Sequence, residues 1–251
     1  MVQRRAVTRE DKEMQPDRLP SLYKTLIPLT ADRHKSLHLS ETRHYGFAET
    51  ANAIPLSADE FPQAMRNYPI VFATGDLPTP VALVGYRANK NDFVSKGGSW
   101  LEGTYVPAYL RRYPFAYLKE SDTSDRQILC ADLSSTMFES KETPGRALFN
   151  EDNSPSKVLT NVMDFCNRYD IALQRTRAAM EEAKKLDLIE DSTVTIARNG
   201  QNIKVEGFNV ISEDKLRKLP DDVLASLARR GVLNLFAAHH LSMTNFATFG
   251  T

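Results

Sequence analysis

The stretch SPSKVLTNVMDFCNRYDIALQRTRAAMEEAKKLD, Ser154–Asp187, and the segment VTIARNGQNIKV, Val194–Val205, decide the fold class between them. In the first, Ser154 is suited to cap a helix and Pro155 to occupy its first position, where no backbone N–H is needed. Its apolar seam, Leu159, Val162, Cys166, Tyr169, Leu173, Thr176, Met180 and Ala183, is spaced 3, 4, 3, 4, 3, 4, 3. That stripe predicts one helix to about Asp187, whose seam of roughly 45 Å either packs into the chain's own core or meets a second copy. In the second, Asn199–Gly200 separates two alternating runs, and a two-residue type I′ turn needs positive φ at both positions. The register then pairs Ile196 with Ile203 and Val194 with Val205, placing all four on one buried face.

Upstream, strand-sized apolar runs are broken by Pro, Gly and Asn: Thr25–Pro28, Tyr45–Ala48, Ile70–Ala73, Val81–Tyr86, Phe115–Leu118 and Ile128–Leu133. Such runs predict a mainly antiparallel sheet. Ser57–Asn67 predicts a helix, with Ser57 and Glu60 spaced as a capping box and Pro62 making the first turn its weak point. The fold expected is therefore α+β: a mostly antiparallel β-sheet N-terminal region, then a C-terminal helical region with one long helix and a β-hairpin packed onto it. Residues 1–20 read as a flexible arm, and 21–251 as a single domain. Within it, 21–134 is β-rich, 135–154 a polar connector and 155–251 helical. Near the end, Asp221 and Asp222 open a helix that Arg229 and Arg230 close and Gly231 stops, each charge complementing the helix dipole. A last helix runs from Val232 toward Phe246.

Composition narrows the function classes. The chain has 251 residues, 41% hydrophobic and 25% charged, with 32 Lys+Arg against 32 Asp+Glu. A balanced charge gives no electrostatic case for nucleic acid, which needs a basic excess to displace counterions from phosphates. The first 20 residues contain no apolar stretch like that of a secretory signal, so a cytoplasmic location is expected. No window approaches the roughly 20 apolar residues of a membrane helix, so no membrane insertion is expected. Cys130 and Cys166, without a CxxC, fit a reducing compartment and buried, inert thiols.

Candidate chemistry is sparse. There is no GxSxG, Walker loop or GxGxxG, so neither a nucleophile elbow nor a cofactor cradle is expected. Five histidines fall into two groups, His34, His38 and His44, and His239 and His240. None sits at a metal-ligand spacing with a carboxylate, so no metal is expected. His239 is the one best placed to carry a proton or donate to a substrate, since imidazole titrates near neutrality. The densest aromatic and basic segment is GTYVPAYLRRYPFAYL, Gly103–Leu118, where Arg111 and Arg112 stand among tyrosines. Aromatics interleaved with guanidinium groups can bind a carboxylate or phosphate, or can pack the sheet with the arginines paired internally.

Several words of the sequence together resemble the SapC-like family, bacterial chains of about this length: HYGFA at 44–48, IPLSADEF at 54–61, YPIVFA at 68–73, YVPAYLRRYPF at 105–115, ALFN at 147–150 and GVLNLFAAHHLSMTNF at 231–246. His239 and Ser242 match that family's closing His and Ser, and His240 departs from it. The family name comes from association with a surface layer, and some relatives carry a peptide-transport permease label, which the lack of a membrane helix contradicts. The resemblance implies an accessory role in metabolite or peptide handling. The expectation is a binding protein for a peptide or small anionic metabolite, with Arg111, Arg112, Tyr113, His239, Ser242 and His44 as ligand residues. An enzyme using His acid–base chemistry on an amino-acid or peptide substrate, and a surface-layer structural protein, are the alternatives.

Overall fold

The computed structural model describes residues 19–119, 126–139, 145–198 and 200–247. It divides into two units whose chain segments interleave: residues up to 44 with 112–170, and residues 45–111 with 171 to the end.

The first unit holds two three-stranded antiparallel sheets. Strand β1 (Leu26–Pro28) pairs with β7 (Gln127–Asp132), which pairs with β6 (Phe115–Lys119); β2 (His38–Ser40) lies between β8 (Phe138–Glu139) and β9 (Gly145–Ala147). A single turn, α1 (Ala31–His34), precedes β2. Fully buried Asp132 stitches the unit: Oδ2 accepts from Lys24 N at 2.7 Å, and Oδ1 from the Ser134 hydroxyl at 2.6 Å. A buried carboxylate is tolerable only with such donors.

The second unit is built on a five-stranded antiparallel sheet ordered β10 (Ile189–Arg198), β11 (Gln201–Ile211), β4 (Ile70–Ala73), β5 (Thr79–Leu83), β3 (Ala53–Pro55). The hairpin is therefore not a separate piece laid on the long helix: β11 pairs with β4, Phe208 opposite Ala73 and Asn209 opposite Phe72. Its register is the one the turn demands, Val194 with Val205 and Ile196 with Ile203. Those four pack with Val71, Val81, Leu83, Phe208 and Phe246. The two-residue loop joins Arg198 to Gln201 with Gly200 at φ 74°; the expected role of Asn199 lies outside the described residues.

Local signals place most elements. The Ser57–Glu60 capping box is formed, followed by a one-turn 3-10 helix (Ala58–Glu60) and α2 (Phe61–Ala64), with Pro62 in the first turn, where it is tolerated. The long helix α4 spans Lys157–Lys185. Its cap is Ser156 rather than Ser154, since Leu159 N–H reaches Ser156 Oγ at 3.3 Å while Pro155 is held in a bridge to Phe149. The seam of α4 is core in its own chain: Leu159, Cys166, Tyr169, Thr176, Met180 and Ala183 are all buried. HYGFA forms a 3-10 turn (Gly46–Ala48), not a strand. Short helices α3 (Ala108–Arg112) and α5 (Glu213–Arg217) come before and after the hairpin, and α6 (Asp221–Arg229) ends at Gly231, φ 75°. From there α7 (Val232–Ser242) runs into a 3-10 turn, Met243–Ala247.

Two glycines do different work. Between Val194–Val205 and Ser192–Phe208 the register moves two residues on β10 and three on β11, and Gly207 at φ 83° supplies the extra one as a bulge. A Cβ there meets nothing within 4 Å, so Gly207→Ala should cost only the left-handed backbone term, about 1 kcal/mol. At Gly85 a Cβ would lie 1.7 Å from the Lys90 carbonyl oxygen, so Gly85→Ala should lower the urea midpoint clearly more than Gly207→Ala. Equal midpoints for the two variants would show that close approach to be unimportant.

Candidate functional site

The conspicuous chemistry of the second unit lies along α7 and the 3-10 turn that follows it, where His239, Ser242 and Asn245 recur every third residue. Continued from Phe72–Asn209, the β4–β11 register brings Ile70 opposite Ile211, and there the imidazole of His239 replaces a direct ladder bond. Ile211 N–H donates to Nε2 at 3.2 Å, and Nδ1 lies 2.7 Å from Ile70 O. A backbone N–H can only donate and a carbonyl only accept, so the ring is neutral, with its proton on Nδ1. The other half of each residue is also held from α7. Ile70 N–H donates to Ser242 Oγ at 2.9 Å, that hydroxyl donates to His239 O at 2.5 Å, and His240 Nε2–H donates to Ile211 O at 2.8 Å. Asn245 Nδ2 adds Met65 O and Tyr68 O, at 2.8 and 3.0 Å.

Burial dominates the titration of His239, which is 0% exposed: desolvation lowers its pKa to about 4, its hydrogen bond to Ile70 opposes this, and His240 adds to it. The imidazole proton thus belongs to the fold.

Glu60 organises a second cluster in this unit. Its Oε2 accepts from Ser57 N–H and hydroxyl at 2.9 and 2.8 Å; its Oε1 accepts from Ala108 N–H at 2.6 Å and Tyr105 OH at 3.0 Å. Arg111 stands over the Tyr105 ring, donating from Nη2 to Tyr105 OH at 2.8 Å and from Nε to Val106 O at 3.0 Å. Burial and the Glu60 charge both push the Tyr105 hydroxyl up. Trp100 Nε1 donates to Tyr68 OH at 3.2 Å, and that hydroxyl donates to Tyr105 O.

The remaining expected ligand residues belong to the first unit. Arg112 is buried between the rings of Tyr23 and Tyr169, 5.5 and 4.8 Å from their centroids, and its charge acts on Cys166 and Asp170. Tyr113 is buried against Tyr23 and interacts with Asp132 and Ser135; burial raises its pKa. His44 is exposed. The structure thus brings His239 and Ser242 together on Ile70, puts Arg111 on Tyr105, and places Arg112, Tyr113 and His44 in the other unit. Both thiols are raised by desolvation, Cys130 to about 11 and Cys166 to about 12. Among the described residues no group of three or more His, Cys, Asp or Glu side chains is arranged to hold a metal.

An open hollow of about 380 Å³ lies on the outer side of α7, lined by Glu213, Leu216, Arg217, Ala237, His240 and Leu241. Leu241 is 60% exposed and, with Leu216 and Ala237, supplies the apolar part of this hollow. Arg217 pairs with Glu213 at 2.5 Å, and His240 Nδ1 lies 4.0 Å from the same carboxylate. Only the 237, 240, 241 spacing on α7 hinted at this face, because α5 meets it through the fold.

The geometry defines an α+β protein with a helix-bound sheet and an apolar surface hollow rimmed by charge. The chain belongs to the SapC family, whose model matches residues 29–249. No protein of curated function and no solved structure matches it. No helix among the described residues is long and apolar enough to cross a membrane.

Because the unfolded chain takes up the His239 proton near pH 6.5 and the folded one only near 4, unfolding binds protons between those values. The stability contributed by the neutral ring is complete above about pH 6.5 and falls by about 3 kcal/mol as pH drops to 4. Urea titrations at stepped pH should show that slope in the native chain and its flattening in His239→Gln; parallel slopes would refute the assignment.

Proposed function

We propose that this chain is a binding protein that captures the carboxyl end of a short peptide, or a small carboxylate with an aliphatic tail, in the hollow between α5 and α7. The observation that carries the reading is Leu241, left largely exposed beside Leu216 and Ala237 with a guanidinium at the rim. Burying an aliphatic side chain there contributes about 25 cal/mol per Å² of apolar area, and Arg217 can exchange its exposed pairing with Glu213 for the ligand carboxylate. A surface ion pair is weak enough to be displaced.

Binding is favoured over catalysis by the state of the buried groups. Both ring nitrogens of His239 and both oxygens of Glu60 are engaged in bonds that hold backbone, and the thiols are raised far from reactivity.

Thermal-shift titration checks this with three probes: acetyl-Ala-Ala-Leu with a free carboxylate, the same peptide amidated, and octanoate. The free peptide should raise the melting temperature, the amide should lose most of that rise, and Leu241→Asp and Arg217→Ala should each abolish it. A rise with octanoate alone assigns the site to a free aliphatic acid. No rise with either carboxylate, or full binding by Leu241→Asp, rules the hollow out.

A further inference from the structure

Strand β10 ends the five-stranded sheet, and among the described residues no strand pairs with its outer edge. It is ten residues long, Ile189–Arg198, and contains neither the proline nor the lysine that commonly blunts an edge. The extra residue of the hairpin bulge lies in β11 at Gly207, so the outer strand keeps its alternation. Arg198 and Gln201 flank a two-residue loop and form a hydrogen-bonded pair, as do Ile196–Ile203 and Val194–Val205. The N–H and C=O of Thr195 and the N–H of Ala197 therefore face away from β11, while the outward Ala197 carbonyl accepts from Arg198 Nη1 at 2.8 Å.

We infer that β10 pairs antiparallel with β10 of a second copy of this chain, joining two five-stranded sheets into one of ten. The sequence of the strand, IEDSTVTIAR, complements itself in that direction. With Thr193 opposite the partner's Thr195, Val194 meets its own counterpart, Ser192 meets Ile196, and Glu190 meets Arg198 at both ends. Parallel pairing would set Glu190 against Glu190 and Arg198 against Arg198, which like-charge repulsion disfavours. Arg198 is fixed at its end of the strand by the carbonyls of Phe246 and Ala247, at 3.4 and 3.0 Å, so its charge is already positioned. A two-fold contact of this kind closes on itself, because it uses up the β10 edge of both copies.

Light scattering after size exclusion, at micromolar protein, reads the result directly. The native chain should show twice its 28.3 kDa mass. Thr195→Pro, which removes an outward N–H at an edge where proline is tolerated, should halve it with unchanged circular dichroism. Glu190→Arg and Arg198→Glu should each be monomeric alone, and their equimolar mixture should regain the doubled mass, since both end contacts become opposite in sign again. A monomeric native chain, a dimer indifferent to Thr195→Pro and Glu190→Arg, or a mixture that stays monomeric would each overturn the pairing. The dimer does not depend on the α5–α7 hollow, so Leu241→Asp should leave the mass doubled.

Discussion

The second unit depends on the way two imidazoles and one hydroxyl stand in for β-ladder bonds. At Ile70 and Ile211 a direct bridge is replaced by side chains of α7, which satisfy the N–H and C=O of both residues. An unsatisfied buried backbone group costs about 1–3 kcal/mol, so four such groups resting on one helix bind it to the sheet more strongly than its nonspecific apolar contacts imply. The same arrangement explains the sequence HHLSMTN: each of its polar residues has a backbone partner, including Thr244, whose hydroxyl donates to Leu241 O at 2.7 Å. It also explains why a histidine that sequence spacing alone makes the natural proton carrier is held as a neutral spacer.

The Glu60 cluster follows the same logic on a smaller scale. A carboxylate closes the capping box of one turn and receives the first N–H of α3, tying residues 57–60 to 105–111. Arg111 joins that network through the Tyr105 hydroxyl, which itself donates to the Glu60 carboxylate. In the first unit the neighbouring guanidinium of Arg112 is sandwiched by tyrosine rings, a cation–π setting in which packing supplies much of the stabilisation. Two adjacent arginines thus serve two different local structures.

What could be read from the amino-acid order was whatever local physics determines. The hairpin register followed from Asn199–Gly200 and the alternation around it, the capping box from Ser57 and Glu60, and the helix end from Gly231. The stripe on α4 was legible as an apolar seam, and its burial settles into intrachain core. The docking of β11 against β4 was not legible, because residues about 135 apart must meet and no turn chemistry encodes that. Nor was the role of His239 and Ser242, whose partners are backbone atoms and leave no trace in side-chain spacing. The start of α4 slipped by two residues because Ser154 and Ser156 are equally good caps, and the bridge of Phe149 to Pro155 decides between them.

The interleaved chain path has a consequence for biosynthesis. One unit combines segments before residue 45 with 112–170, and the other combines 45–111 with everything after 170. As the polypeptide leaves the ribosome, β3, β4 and β5 emerge early, yet β11, their missing neighbour, is translated more than a hundred residues later. Those three strands therefore spend most of translation with an open hydrophobic side, a state prone to nonproductive association. A nascent chain stalled within the segment 135–154 would hold neither unit complete, so quality control would meet this protein as all or nothing.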